Sequence, residues 1–495
     1  MLKSLKEKTG SYQLNNPLVI VLLIAFIIIL GWVIATGGLI TAIGILFLPP
    51  ILIFLNRLFV KPEIGIYTLI VLSFFAIGVT RYIPLPLGLS IDIFLVLSII
   101  TVFFKFFYTK IDLTYVNSDI TWLMLIWFLY SILQFFNPEA LSQKAWVFAM
   151  RSISLYPLLL VPLTFLLFKK VKYVYIFIYL WGFLSILGTL KGLQQLYIGP
   201  DFAEQKWLDT IGGITHILFG ELRVFSFYSD AGQFGAAQGA TGIMGLLVAL
   251  NIKGFLNKSF FWAVALSSLW GMMISGTRGA LIVPLIGGMV YLIHRKNFRV
   301  IIIGIILMAS IYSFFRYTYI GNSNSQIRRM RTAFTPSDDA SLQVRLENRR
   351  VLKVYLSSRP FGGGIGSAGG WGQRFSPNGF LASIPTDSWY VQIWAEQGII
   401  GLTLHLLILA YIFTKSSYLI MFKIHDPELR GIFSAICAAF AGIMGASYGN
   451  GILGQIPSSV ITYISWALMF MSPYFDYQLR TSPADSRFSL FSFNK

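Results

Sequence analysis

Long apolar runs recur from Pro17 almost to the end of this chain, and they restrict it to one kind of solvent. The run from Pro17 to Ala35 carries no charge and is long enough to cross about 30 Å of hydrocarbon. Comparable runs lie near 38–56, 64–80, 91–108, 119–136, 152–168, 173–190, 236–252, 260–276, 279–294, 299–316, 399–416, 430–448 and 456–472. A bilayer interior offers no water to backbone N–H and C=O groups, so such runs cross as helices. The expected fold class is an all-α polytopic integral membrane protein with about 14 transmembrane helices. Charged residues make up 12% of the 495, half the ~25% usual in soluble proteins, which excludes a soluble enzyme.

Charge fixes the expected orientation. The opening segment is polar and basic (Lys3, Lys6, Lys8) and leads into a run too long for a cleavable signal, so the first helix is expected to be retained. With the N-terminus inside, the basic connections fall on that side. They are Arg57 and Lys61; Lys110; Lys169, Lys170 and Lys172; Lys253 and Lys258; Arg295, Lys296 and Arg299; and Lys415, Lys423 and Arg430. The tail, with Arg480, Arg487 and Lys495, follows them, so both termini are expected in the cytoplasm. The organisation reads as helices 1–11 over 1–316, with a smaller extracytoplasmic loop at 191–235. A large extracytoplasmic loop over 317–398, helices 12–14 over 399–472 and a cytoplasmic tail over 473–495 complete it. A net charge of +18 then asks for anionic membrane lipids and not for nucleic acid. Cys437 is alone, and His216, His294, His405 and His425 are scattered, so neither a disulfide nor a metal or other cofactor is expected.

The two outer loops carry the polar chemistry. Within 317–398, Ser337-Asp338-Asp339 marks a helix start and Pro360 a stop. Between them Arg345, Arg349 and Lys353 recur every fourth residue and form one basic stripe. Val344, Val351 and Tyr355 lie elsewhere, while Leu352 and Leu356 fall among the cations. Two readings stand: an amphipathic helix resting on lipid headgroups, or a docking surface on which arginine forks take phosphate. RRMR at 328–331 adds cations to the same loop. The glycine-rich stretch from Phe361 to Gly372 reads as a flexible loop, or as a turn offering N–H groups to a ligand; no Walker lysine follows it. Asp387 opens a helix that runs past Glu396, either as its N-cap or as a proton acceptor. Elsewhere, Arg223 precedes an aromatic run that returns to the membrane, and Arg278 sits in Ser275-Gly-Thr-Arg-Gly-Ala at a helix mouth. An arginine against an apolar span is costly and marks function, unless it snorkels to the headgroups.

In order along the chain, these motifs resemble the O-antigen ligase/polymerase family, bacterial enzymes that join lipid-linked glycans outside the inner membrane. Arg223 to Phe234 is similar to the family's outer-loop arginine and aromatic return, and Ser275 to Ala280 to its Ser-x-x-Arg-Gly-Ala motif. Arg345 through Pro360 to Gly366 is similar to its arginine-led helix and Gly-x-Gly turn. Asp387-Ser-Trp-Tyr-Val-Gln-Ile-Trp-Ala-Glu-Gln-Gly398 is similar to its His-Asn-x-Tyr-Leu signature with the following glutamate and glycine. The resemblance implies a metal-independent, inverting glycosyltransferase. Its substrate would be an undecaprenyl-diphosphate-linked oligosaccharide, and its active site would face the periplasm. Arg223, Arg278 and Asp387 would be catalytic, and Arg345, Arg349, Lys353, Trp389, Tyr390 and Glu396 would bind substrate. A chain-length regulator is a further partner such a protein can have. Ligase members carry histidine where this chain has Asp387, which tilts the reading toward a polymerase of O-antigen or exopolysaccharide. The alternatives are a ligase acting on lipid A-core or another acceptor, and a flippase for the same lipid-linked oligosaccharide.

Overall fold

The computed structural model describes residues 17–83, 87–110, 112–218, 220–323, 325–334 and 340–481. The expected helix start at Ser337-Asp338-Asp339, the lysines before Pro17 and the tail cations Arg487 and Lys495 lie outside the described residues. Two units are distinguished, Met1–Ile64 and Gly65–Lys495. The first holds α1 (Pro17–Gly38) and α2 (Thr41–Val60), parted where Gly38 takes φ +67°.

The second unit takes in nearly all of α3 (Glu63–Val79) and continues through α4 (Gly88–Tyr108), α5 (Asp119–Leu133), α6 (Gln143–Leu167) and α7 (Val171–Tyr197). After a loop come α8 (Ala231–Asn251), α9 (Phe255–Ile274), α10 (Ile282–Arg295) and α11 (Phe298–Tyr317). A second polar segment contains α12 (Ala340–Leu356), and α13 (Trp389–Phe422), α14 (Pro427–Ala446), α15 (Ser458–Phe470) and α16 (Ser472–Thr481) follow it. Each apolar run read from the sequence is occupied by a helix. Among the described residues nine helices are long and apolar enough to cross a membrane, and three shorter apolar ones accompany them. Strand pairing among those residues is limited to Ile217–Leu218 against Glu221–Leu222.

Small residues build the centre. Helix α8 reads AGQFGAAQGATGIMG before it becomes aliphatic, and nearly all of it is buried. A Cβ on Gly239 would press on Met272 and Val283, and one on Gly245 would press on the backbone of Phe261 and Ala265. Glycine at these positions lets α9 and α10 approach closely, the packing that holds helices together where lipid supplies no hydrophobic drive. Asp230 caps α8, accepting from the Gln233 N–H at 2.9 Å, so the loop before it enters the bundle at a fixed point.

Two corrections come from the large polar segment. The glycine stretch is neither a flexible loop nor an N–H cradle, because residues 362–368 are buried. The N–H groups of Gly363 and Gly364 donate to the carbonyls of Ala395 and Glu396 at 2.9 and 2.8 Å. Gly398 at φ +66° kinks α13 there, and a Cβ on it would collide with the Pro360 carbonyl. The second correction concerns α12. Leu352 and Leu356, which fall among the cations by periodicity, are its buried seam against Ala368, Leu381, Ile384 and Ala395, whereas Val344 and Val351 are exposed.

Candidate active site

Arg223 is set in place by residues that bond its loop from outside. Arg81, in the turn after α3, donates to the Ser226 carbonyl at 2.8 Å and to that of Tyr228. Its guanidinium lies 4.7 Å from the Trp207 ring and 4.4 Å from the Phe225 ring, and burial pushes it down to about 10. From α7, the Gln195 side-chain oxygen accepts from the N–H groups of Phe225 and Ser226 at 3.2 and 2.8 Å. The backbone of 223–230 is thereby fixed, and Arg223 reaches toward Thr215 and Thr277 with bonds of only 3.4 Å. Its Nε is buried without a partner.

Three more arginines gather around it from other segments. Arg278 begins the 3-10 turn before α10 and donates to the Thr332 hydroxyl at 3.0 Å. Arg329 belongs to the short helix Ser325–Arg331, whose last residue, Arg331, is bonded to carbonyls at the end of α11, among them Phe314 at 2.9 Å. A cation on the final carbonyls of a helix is a favourable cap, and it anchors the segment that bears Arg329. Burial, then the like charge of Arg329, with Arg278 and Arg345 adding to it, push the Arg223 guanidinium down to about 10 against the opposing pull of Asp230. Arg329 is lowered by burial and then by Arg278, with Glu221 opposing. At about 10 the Arg223 guanidinium stays charged at neutral pH. Guanidiniums held this close lower one another's affinity for a proton, with Asp230 and Glu221 opposing.

Arg345 joins this cluster to Asp387. Its Nε donates to the Asp387 carboxylate at 3.1 Å. The N-cap of α13 is Ser388, whose hydroxyl accepts from the Val391 N–H, and not Asp387. The carboxylate is half exposed and lines a shallow, open cleft together with Arg345, Asn348, Arg349, Pro385, Ser388 and Val391. Arg349 faces Tyr448, and Lys353 is exposed two turns along α12 from Arg345.

Trp389, Tyr390 and Glu396 are not among the residues lining that cleft. The buried Trp389 donates its indole N–H to His405 Nε2 at 2.9 Å, and Tyr390 donates to the Met444 carbonyl at 2.8 Å. Glu396 is fully buried under the glycine stretch and accepts from the Ala368 N–H at 3.3 Å. Arg81, the individual place of Arg329, and Tyr448 carry no motif that marks them in the sequence. The Gly449-Asn450-Gly451 run after Tyr448 signals only a turn.

The fold is that of a polytopic helical membrane protein whose segments between helices bring several arginines together. Residues 263–406 match the family described as O-antigen ligase, and the match supports the O-antigen ligase/polymerase family for this chain. It takes in Arg278, Arg329, Arg345, Arg349 and Asp387 and leaves out Arg223 and Tyr448. Its members are ligases and polymerases, so the flippase alternative gains no support. No curated protein matches the chain.

Proposed function

We propose that this protein is a polysaccharide polymerase that joins oligosaccharide repeats carried on a lipid diphosphate, undecaprenyl diphosphate being the expected carrier, at the outer face of the bacterial inner membrane. One observation carries the reading: Arg223, Arg278, Arg329 and Arg345 converge from separate segments, with Asp387 on Arg345. The acceptor hydroxyl attacks the anomeric carbon of the donor sugar from the face opposite the diphosphate. As the new C–O bond forms, the C–O bond to phosphate breaks, its electrons go to the diphosphate, and the hydroxyl proton goes to the Asp387 carboxylate. Arg223 and Arg278, with Arg329 and Arg345 beside them, hold the departing charge. Preorganised donors aimed at developing charge are commonly a large contribution to catalysis. Asp387 in place of the histidine of ligase members favours a polymerase over a ligase.

The test is polymer made in cells. Arg223→Ala and Arg278→Ala, expressed at the normal level, are each expected to reduce full-length polymer by about 10²-fold or more, the scale for a lost oxyanion donor. Full-length polymer in wild-type amounts from either variant overturns the reading.

A further inference from the structure

Tyr448 opens the turn between α14 and α15, outside the segment matched by the family. It is an aromatic side chain left 59% exposed and set against Arg349, which lines the cleft. The Arg349 guanidinium lies 4.4 Å from its ring centre and donates to both its hydroxyl and its carbonyl, so the ring is held by one arginine while the rest faces solvent. Backbone bonds fix the turn to the residues that follow Asp387. The Trp389 N–H donates to the carbonyls of Ser447 and Asn450 at 3.1 and 3.2 Å, and the Ser388 hydroxyl donates to Ser447 at 3.2 Å. A Cβ on Gly449 would lie 3.8 Å from Arg345 Nη1, so the turn runs alongside the Arg345–Asp387 pair.

Arg345, Asn348, Arg349 and Asp387 line one cleft, and the exposed Tyr448 ring stands against Arg349 at its side. An aromatic face thus lies next to an amide, guanidinium donors and a carboxylate acceptor, a set that suits a polyol. The ring offers a flat apolar surface to the C–H face of a pyranose, while the amide, guanidinium and carboxylate have donors and acceptors for its hydroxyls. The Arg345 and Arg349 guanidiniums share this lining with the Asp387 carboxylate, which a sugar hydroxyl can meet as a donor. We infer that Tyr448 is the stacking platform for the acceptor sugar, which it holds with one hydroxyl at Asp387. This deepens the transfer reading and rests on it.

The probe is the oligosaccharide repeat freed by mild acid from the lipid-linked form that accumulates in cells lacking this protein. Without its diphosphate it binds as acceptor and cannot donate. Its affinity for the full-length protein in detergent is measured calorimetrically, without turnover. Tyr448→Ala and Tyr448→Leu are each expected to weaken binding about tenfold, the scale of a lost aromatic contact. Tyr448→Trp, which keeps a ring, is expected to stay within about threefold of wild type. Undiminished binding in the Ala or Leu variant overturns the inference, as does equal loss in all three, since that marks a structural role, or no binding by the wild type. Failure of the transfer reading shows separately, as wild-type polymer from Arg223→Ala.

Discussion

Asp387 changes meaning once its neighbours are in place. By type and position it reads equally well as a helix cap, but Ser388 takes that role, and the carboxylate instead pairs with Arg345 beside an open cleft. Asp387→Asn keeps the shape and an oxygen for Arg345 while removing the ability to take a proton. The expected result is a loss of transfer by about 10²-fold or more with folding unchanged, the usual scale for a lost general base. Wild-type transfer by this variant would reduce Asp387 to a partner of Arg345. The arginines were legible because cations beside apolar spans are costly and stand out in a sequence. Trp389, Tyr390 and Glu396 come from the resemblance to the family's signature, and Trp389 and Glu396 are seven residues apart on one buried face of α13. Tyr448 was not legible, since 99 positions separate it from the arginine that holds it.

At the scale of elements, apolar runs translated directly into helices, because in a bilayer run length alone decides the structure. The glycine stretch did not translate. Glycine permits many conformations, and what selects one here is the packing of residues 360–366 on the kink at Gly398, a contact no local pattern announces. A side chain at Gly398 would have to adopt a left-handed backbone and push aside the Pro360 carbonyl. Gly398→Ala is therefore expected to destabilise the protein by at least about 1–3 kcal/mol, seen as a lower Tm in detergent. Gly370→Ala, where a Cβ meets nothing within 4 Å, serves as the control and is expected to leave Tm unchanged. Equal melting of the two variants would contradict the packing described for this stretch.

For the molecule as a whole, the alternation of basic connections gives the expected orientation, and the small-residue face of α8 explains how helices far apart in sequence pack closely. The sequence could not show that Arg223, Arg278, Arg329 and Arg345 meet. That convergence depends on Arg81 and Gln195 fixing one loop and on Arg331 anchoring another, all through long-range bonds to backbone groups. The central claim is that this cluster carries the charge of a leaving diphosphate. The most direct test incubates purified protein with a single lipid-linked repeat and resolves the products by size. Wild-type protein is predicted to yield a ladder of multiples of the repeat, and Arg223→Ala and Arg278→Ala only unreacted substrate. A ladder formed at the wild-type rate by either variant, or no ladder from the wild type, would contradict the account.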